Sequence, residues 1–384
     1  MIGTRGLPAR YGGFETCIEE VGRRLADRGH EVVVYCRGNS DIPKEYLGME
    51  LVRLPALHRR SLETLSHTGM SVMHVLGHRV DAAIVFNAAN SPWLPLLRAA
   101  HIPVATHVDG LEWQRAKWGP LGQKYYRFAE SLSVRWSDAL IADAAGIQRY
   151  YQKAFNAESQ LIAYGAPLLE DGHSDRLAEL SLEPGQYHLA VARFEPENHL
   201  QMIVEGYARS SASHPLIVVG SAPYSAAYSR LLYSLGDERV RFLGGVWDQD
   251  LLNQLYANAL IYWHGHSVGG TNPSLLRAIG AGTATNAFNV NFNREVLRNS
   301  GKYFRSADDV QQLVESAEAD PGAVRERAVL AREAARRYDW DLVADSYEEL
   351  CQGLVQRSLV RTPATFSRRM FVSQQVLDFD RESF

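Results

Sequence analysis

The stretch GGFETCIEEVGRRLADRGHEVVVYC, residues 12–36, predicts a helix followed by a strand and sets the pattern of the whole chain. Its apolar residues first recur with the period of an amphipathic helix, at Phe14, Cys17, Ile18, Val21 and Leu25. Acidic residues lie early in this helix, arginines lie late, and a glycine follows, as the helix dipole and a C-terminal stop favour. Residues 31–36 are a β-branched run that predicts a buried strand.

Strands and helices continue to alternate outward from this stretch. Before residue 165 we predict strands at 51–54, 82–86, 103–106 and 139–142, and helices at 62–76, after Pro92 and at 121–136. A second series follows Pro184-Gly185, with strands at 187–192, 215–219, 240–243, 260–263 and 283–287, and helices at 199–210, 226–235, 251–257, 273–281, 322–337 and 341–355. Such alternation favours parallel sheets with helices on both faces, and hence an α/β protein of two Rossmann-like domains.

Length and composition agree with two soluble domains. The 384 residues exceed one ordinary core, and 46% hydrophobic with 22% charged residues is typical of a globular protein. A net charge of −4 without a lysine- or arginine-dense face argues against nucleic acid as a partner. The apolar runs are strand-sized, no signal peptide is evident, and three scattered cysteines suggest neither disulfides nor zinc, so we expect a cytoplasmic, reduced protein.

Two loops of the first half carry candidate functional residues. Gly12 and Gly13 precede a helix, where backbone N–H groups could approach a phosphate, although a plain turn explains them equally. His107, Asp109 and Glu112 follow a predicted strand and could orient an acceptor hydroxyl or polarise a sugar oxygen. The alternative is that residues 109–110 form a turn and Glu112 pairs on the surface with a basic neighbour, Arg115 or Lys117.

Two loops of the second half also carry candidate functional residues. Arg193 follows a strand and could clamp a diphosphate, or could be an ordinary surface arginine. Near the start of another helix stand a glycine pair, a capping residue and a proline that together could form an anion site, namely Gly269, Gly270, Thr271, Asn272 and Pro273. A well-capped helix explains part of this pattern. His264 and His266 have metal-like spacing but no visible third ligand, so we expect no metal.

Taken in order, these loops resemble those of family 4 glycosyltransferases, closest to a bacterial polysaccharide-assembly branch that includes rhamnosyltransferases. The matching stretches are 3–15, 109–118, 193–198 and 264–276, and the resemblance runs from residue 3 to about 354. It implies a GT-B fold with the donor held between the domains, a nucleoside-diphosphate sugar as donor substrate, transfer without metal or cofactor, and retention of configuration.

The resemblance also implies domain limits and roles. Residues 1–168 would form the acceptor-side domain, 169–340 the nucleotide-sugar domain, 341–357 a helix returning to the first domain, and 358–384 a mobile tail. Gly12 and Gly13 would lie against the donor phosphates, Arg193 would neutralise the leaving diphosphate, and residues 269–272 would add backbone donors. His107 and Asp109 would line the acceptor and the reacting sugar, with Glu112 also on the acceptor side.

The sequence departs from the family pattern at two glutamate positions, at one lysine position and at the N-terminus. The two glutamates of the common motif are separated by seven residues, and the corresponding positions here are Gly269 and, on the helix after the glycine pair, Arg277. Loss of a charged hydrogen bond of about 1.5–3 kcal/mol could weaken donor binding by roughly one to two decades. Arg277 would then face solvent, or meet a phosphate or an unusual donor. A lysine common after the family's arginine is Asn198 here, and only Met1-Ile2 precedes the first loop, which predicts a truncated first strand and a start codon further upstream.

The sequence therefore predicts a transferase that builds a surface or exported glycan from a nucleotide sugar and a glycan or lipid-linked acceptor. The alternative is a catalytically silent homologue that binds a nucleotide sugar or a partner enzyme, and both Arg277 and the short N-terminus favour it. A sugar-nucleotide epimerase of similar fold is a third possibility that the 109–118 and 264–276 stretches do not support. Residues 368–371, Arg-Arg-Met-Phe, could make a weak peripheral contact with a membrane or touch a partner, or could simply be solvated, and the protein could act at the inner face of the membrane.

Overall fold

The computed structural model describes residues 1–9, 12–38, 43–57, 62–108, 110–115, 118–169, 173–221 and 226–359. It divides into two compact units: unit 1 contains Met1–Tyr164 and the chain from Trp340 onward, and unit 2 contains Gly165–Asp339. Candidate residue Asp109, parts of the matching stretches (10–11 and 116–117) and the tail from residue 360 lie outside the described residues.

The secondary structure alternates as the sequence predicts. The strands are β1 Val33–Arg37, β2 Glu45–Tyr46, β3 Met49–Leu54, β4 Ala83–Phe86, β5 Val104–Val108, β6 Ala139–Ala142, β7 Gln160–Leu161, β8 His188–Val191, β9 Leu216–Val219, β10 Val240–Gly244, β11 Ile261–His264, β12 Thr285–Phe288 and β13 Gly301–Phe304. The helices are α1 Gly13–Asp27, α2 Glu63–Gly77, α3 Leu94–Ala99, α4 Pro120–Trp136, α5 Ala145–Phe155, α6 Leu200–Arg209, α7 Ala226–Leu235, α8 Gln249–Ala257, α9 Pro273–Gly280, α10 Asn291–Leu297, α11 Ala307–Ala319, α12 Pro321–Ala335 and α13 Trp340–Val355. None of the described helices is long and apolar enough to cross a membrane.

Unit 1 contains two sheets that the start of the chain connects. One has the order β1-β3-β2 and the other the parallel order β4-β5-β6-β7. The Ile2 amide donates to the Ile84 carbonyl at 2.9 Å, and on the other side the Tyr35 amide donates to the Met1 carbonyl at 3.1 Å. Residues 1–2 thus occupy the place of a short strand between β1 and β4.

Helix α13 completes unit 1 by packing against α1. The Cys17 thiol lies 3.6 Å from the Tyr347 hydroxyl in the buried part of this contact. At its edge, Arg28 pairs with Asp345 and Glu348, both at 2.6 Å. The last described helix of the chain therefore covers the first, so unit 1 is built from two separate pieces of sequence.

Unit 2 is a doubly wound parallel sheet with the strand order β10-β9-β8-β11-β12-β13. The chain runs outward from β8 to β9 and β10, returns to the other side of β8 as β11, and then continues outward to β12 and β13. The point where the direction reverses therefore lies between β8 and β11. Large buried side chains on one side of this sheet include Tyr207, Trp263 and Phe304.

Candidate active site

The two strands at the reversal point of unit 2 are direct neighbours. Ile261 of β11 is in register with His188 of β8, and Trp263 with Ala190. In open parallel sheets, ligands bind outside the carboxyl ends of the strands at this kind of switch point. The segments that leave β8 and β11 contain Arg193 and the glycine pair at 269–270, so the fold brings together two stretches that lie about seventy residues apart in sequence.

Hydrogen bonds join these two segments. Ser267 donates to the Glu197 carbonyl through both its amide and its hydroxyl, each at 3.0 Å. The His199 ring nitrogen Nδ1 lies 2.8 Å from the Gly265 carbonyl. A Cβ at residue 265 would stand 2.0 Å from the Asn198 carbonyl oxygen, so only glycine allows the backbones to approach this closely. The two segments are thereby held as one structure.

Arg193 lies at the start of the first segment with its side chain 39% exposed. Its guanidinium is 3.3 Å from the Glu195 carboxylate, and the Asn198 side-chain amide donates to the Arg193 carbonyl at 2.8 Å. The backbone is thus fixed while the cationic end of the side chain reaches solvent. A half-exposed guanidinium with one carboxylate partner retains N–H donors for an anion.

The second segment ends at the N-terminus of α9, where the sequence prediction of the cap is confirmed. The Asn272 side chain accepts hydrogen bonds from the Ser274 amide at 3.0 Å and hydroxyl at 2.8 Å, and Pro273 is the first helical residue. Gly269 has a φ of 131°, a backbone conformation that glycine adopts readily and other residues rarely adopt. The helix dipole and the N–H groups of this turn favour an anion at this position.

Arg277 lies in the second turn of α9 and points toward α8. Its guanidinium donates to the Gln249 side chain at 2.9 Å and lies 6.0 Å from the centre of the Tyr256 ring. It is half-buried, so it is held by a polar side chain and an aromatic ring and is not simply solvated. The structure therefore does not leave Arg277 fully exposed to solvent, and its contact with a phosphate or an unusual donor stays a prediction.

A buried polar group lies beneath α9. His264, at the carboxyl end of β11, is fully buried, and burial lowers its pKa to about 3, so the ring is neutral near pH 7. Its Nδ1 is 3.3 Å from the Tyr262 hydroxyl, which itself donates to the Ser274 hydroxyl at 3.1 Å. Among the described residues, Nε2 of His264 has no hydrogen-bonding partner. The described part of the chain also holds no cluster of three His, Cys, Asp or Glu side chains suited to a metal ion.

In unit 1, two carboxylates of α1 hold the glycine-containing loop that precedes it. Glu15 accepts a hydrogen bond from the Arg5 amide at 2.9 Å, and Glu19 accepts one from the Ala9 amide at 2.8 Å. Gly12 is the N-cap with a φ of 108°, and it supplies no capping side chain to the helix that begins at Gly13. Burial raises the pKa of the Glu15 carboxyl. The hydrogen bond from the Arg5 amide and the charges of nearby arginines partly offset this rise.

His107 belongs to β5 itself, which corrects our expectation that it lies in the following loop. Its ring is fully buried and is stacked between Phe86, at 5.4 Å, and Tyr164, at 5.7 Å. Burial lowers its pKa to about 3, so the imidazole is neutral. Within the described ranges neither ring nitrogen has a hydrogen-bonding partner, which leaves a donor and an acceptor for a ligand.

Glu112 is buried, which corrects the view that it pairs on the surface. Its carboxylate is 2.5 Å from the Arg115 guanidinium, the partner that the sequence offered, and it accepts a hydrogen bond from the Trp118 indole at 3.3 Å. Trp118 packs near Trp113 in a small aromatic cluster against α4. Glu112 therefore holds the side chains of Arg115 and Trp118 from inside.

Comparison with protein families assigns both halves of the chain. The model described as "Glycosyl transferase 4-like domain" matches residues 12–165, and the model described as "Glycosyl transferases group 1" matches residues 176–337. The chain belongs to the GT-B glycosyltransferases. No curated protein matches its sequence.

Solved structures with the same fold as this glycosyltransferase have low sequence identity to it. HepE of Anabaena in complex with UDP is 16% identical, with a TM-score of 0.71 over 91% of this chain and 98% of that chain. Sucrose-phosphate synthase from Thermosynechococcus elongatus is 19% identical, with a TM-score of 0.78 over 90% and 94%. WaaG, a glycosyltransferase involved in lipopolysaccharide biosynthesis, is 18% identical, with a TM-score of 0.69 over 91% and 98%.

The structure adds supporting residues to the glycosyltransferase that sequence reasoning did not identify. Glu15 and Glu19 belong to the acidic first part of α1 that the helix dipole favours, and their spacing of about one helical turn lets both bind amides of the same loop. Ser267 and Gln249 were not singled out, since no sequence signal shows which polar side chains bridge separate segments. Gly265 carried a signal only as an isolated glycine at a strand end.

Proposed function

We propose that this glycosyltransferase transfers a sugar from a nucleoside-diphosphate sugar to a glycan or lipid-linked acceptor during synthesis of a surface or exported polysaccharide. The observation that carries the proposal is the pair of joined segments at the switch point of unit 2, which combine Arg193 with the N-terminus of α9. Both features favour anionic groups. The fold neighbour HepE, solved with UDP and with UDP-glucose, supports a nucleoside diphosphate as the anion.

Arg193 is proposed to stabilise the negative charge that develops on the leaving diphosphate. Its five N–H donors allow it to keep the Glu195 contact while it binds phosphate oxygens. The backbone amides of Gly269, Gly270, Thr271 and Asn272 would add fixed donors that need no reorganisation. Gly12 and Gly13 at the start of α1 are proposed as the corresponding backbone donors of unit 1.

His107 is proposed to bind a hydroxyl of the reacting sugar as a neutral hydrogen-bonding group. An imidazole with a pKa of about 3 does not act as a base near pH 7, so its role would be to position the sugar. We further propose retention through attack on the face from which the diphosphate leaves, without a side-chain nucleophile and without a metal. Asp109 is proposed on the acceptor side, and Glu112 as the residue that keeps the acceptor loop in shape.

The test compares Arg193→Ala with Arg209→Ala, a half-exposed arginine of α6 that also pairs with carboxylates. A panel of UDP-, dTDP- and GDP-sugars, including a rhamnose donor, is first screened by thermal shift, since a ligand raises the melting temperature by mass action. With a donor that binds, Arg193→Ala should lower turnover at least about 100-fold, as loss of a single transition-state donor does, and Arg209→Ala should not. If no donor stabilises the folded protein, or both variants behave alike, the proposal is wrong.

A silent nucleotide-sugar-binding homologue is the second candidate, and Arg277 favours it. Its guanidinium interacts with Gln249 at a position where the resemblance leads us to expect a carboxylate for the nucleotide ribose. Arg277→Glu is compared with Arg277→Gln, which removes the same cation without adding a carboxylate. A gain of about tenfold or more in nucleotide affinity for glutamate alone would support the silent homologue, whereas loss of turnover in both variants would support the enzyme.

We also propose that the protein acts in the cytoplasm, at the inner face of the membrane if its acceptor is lipid-linked. Fractionation of cells that express the tagged full-length chain tests this directly. Recovery in the extracellular medium would contradict it.

A further inference from the structure

Helix α2 of unit 1 is apolar on the side that faces water. Its buried positions mix the polar residues His67, Thr68 and Ser71 with the apolar residues Val72 and Val75. Every exposed position of Glu63–Gly77 is apolar or glycine, and these positions are Met70, Met73, Leu76 and Gly77. A surface helix in water normally shows the opposite arrangement. Single exposed apolar residues are common, but a helix without any exposed polar residue is not.

The two helices beside α2 continue this surface. Helix α3 packs against both α2 and α4, so the outer sides of the three helices adjoin. The exposed positions of α3 are Leu96 and Ala99. In α4 the exposed positions include Leu121, Lys124, Phe128 and Arg135, which recur at intervals of three, four and seven residues along one stripe.

The exposed charged residues of this surface are all basic. We call Met70, Met73, Leu76, Leu96, Leu121, Lys124, Phe128 and Arg135 the α2–α4 face. The three helices are described completely, and none of their exposed positions is acidic, while both exposed charges on α4 are positive. The contrast lies in the same unit: exposed positions of α13 include Asp341, Asp345 and Glu349.

We propose that the α2–α4 face binds the surface of an anionic lipid bilayer. Apolar side chains interspersed with basic ones, without acids, are the pattern of helices that lie in a membrane interface. The apolar groups enter the acyl boundary, and the basic groups interact with anionic headgroups, each contributing about fivefold to the affinity. The inference rests on this surface alone and holds whichever donor the enzyme uses.

The experiment measures co-sedimentation of the full-length protein with vesicles. Vesicles of equal parts phosphatidylglycerol and phosphatidylcholine should bind it, vesicles of phosphatidylcholine alone should bind it more weakly, and added salt should reduce the binding. Phe128→Gln should lower the affinity for the anionic vesicles about fivefold, since this half-exposed ring has roughly half of its apolar area left to bury. Lys124→Gln should lower it by a similar factor.

Leu342→Gln on α13 is the matched control, because Leu342 is 59% exposed and Phe128 is 53% exposed. All variants change exposed side chains, so their melting temperatures should stay near that of the parent. Absence of binding to anionic vesicles, or an equal loss in Leu342→Gln, would overturn the proposal. Sedimentation velocity provides a second measurement: a dimer that Phe128→Gln dissociates would show that a second copy, and not a membrane, covers the face.

Discussion

Gly265→Ala should separate the two segments that form the proposed donor site. The added Cβ would lie 2.0 Å from the Asn198 carbonyl oxygen and 2.9 Å from its carbon, both backbone atoms that cannot rotate away. Ordinary carbon–oxygen contact needs more than 3 Å, so the segments must move apart by about 1 Å. The φ of residue 265 is not in the left-handed region, so this displacement is the main effect of the substitution.

The displacement strains the bonds that join the segments, the Ser267 amide to the Glu197 carbonyl and His199 to the Gly265 carbonyl. A misplacement of about 1 Å between catalytic groups can lower turnover about 100-fold, equivalent to about 2.7 kcal/mol in the activation barrier. Overpacking of this kind also lowers the free energy of unfolding by about 1–3 kcal/mol. Turnover should therefore fall much further than the fraction of folded protein.

The assay is release of nucleoside diphosphate from the donor identified by thermal shift, measured well below the melting temperature of the variant. Gly77→Ala is the control, because its backbone is an ordinary helical one and, apart from its own helix, none of the described residues has an atom within 4 Å of the Cβ it would add. That variant should keep its turnover. If Gly265→Ala keeps more than about a third of the parent turnover while folded, the joined segments do not determine catalysis.

Three other predictions concern single contacts. Asn272→Ala removes the cap of α9 and should lower the free energy of unfolding by about 1 kcal/mol in urea titration, with weaker nucleotide binding by calorimetry. Glu19→Ala removes the acceptor of the Ala9 amide, so hydrogen exchange at that amide should become faster while α1 keeps its protection. Burial raises the pKa of Glu130 to about 8, so the folded state holds a proton that the unfolded state releases above about pH 4.5. Stability from this group is therefore lost as the pH rises toward 8. Between pH 5 and 8 the free energy of unfolding of the parent should fall by about 3 kcal/mol more than that of Glu130→Gln. An equal fall in both proteins would contradict this.

The sequence predicts the elements whose periodicity is long and clear. Helices α1, α2 and α4 follow their apolar stripes to within about two residues, and Asn272 with Pro273 marks the start of α9 correctly. Shorter elements such as α10 and β13 were not predicted, because four to seven residues give little periodicity. Helix α11 was also not predicted, although its capping box of Ser306 and Asp309 was a usable signal.

The candidate site was only partly predictable. Arg193 and residues 269–272 could be chosen because they follow strands, and strand ends are where such sheets bind ligands. That the two segments bond to each other depends on β8 and β11 being neighbours, and strand order is not contained in local periodicity. The sequence predicts His107 in the loop after β5, whereas the strand continues through it. A polar residue can lie in this buried strand because its ring stacks on Tyr164, a contact that local sequence does not show.

The packing of α13 on α1 has a consequence for how the protein is made. The larger part of unit 1 is synthesised before unit 2, yet the helix that covers Cys17 is synthesised only after all of unit 2. Domains fold as units during synthesis, and contacts between distant parts of a chain form slowly. Unit 2 should therefore reach its native state first, while the apolar side of α1 waits for its partner and is open to chaperones. A released chain that ends at residue 339 would hold a complete second unit and an unfinished first one.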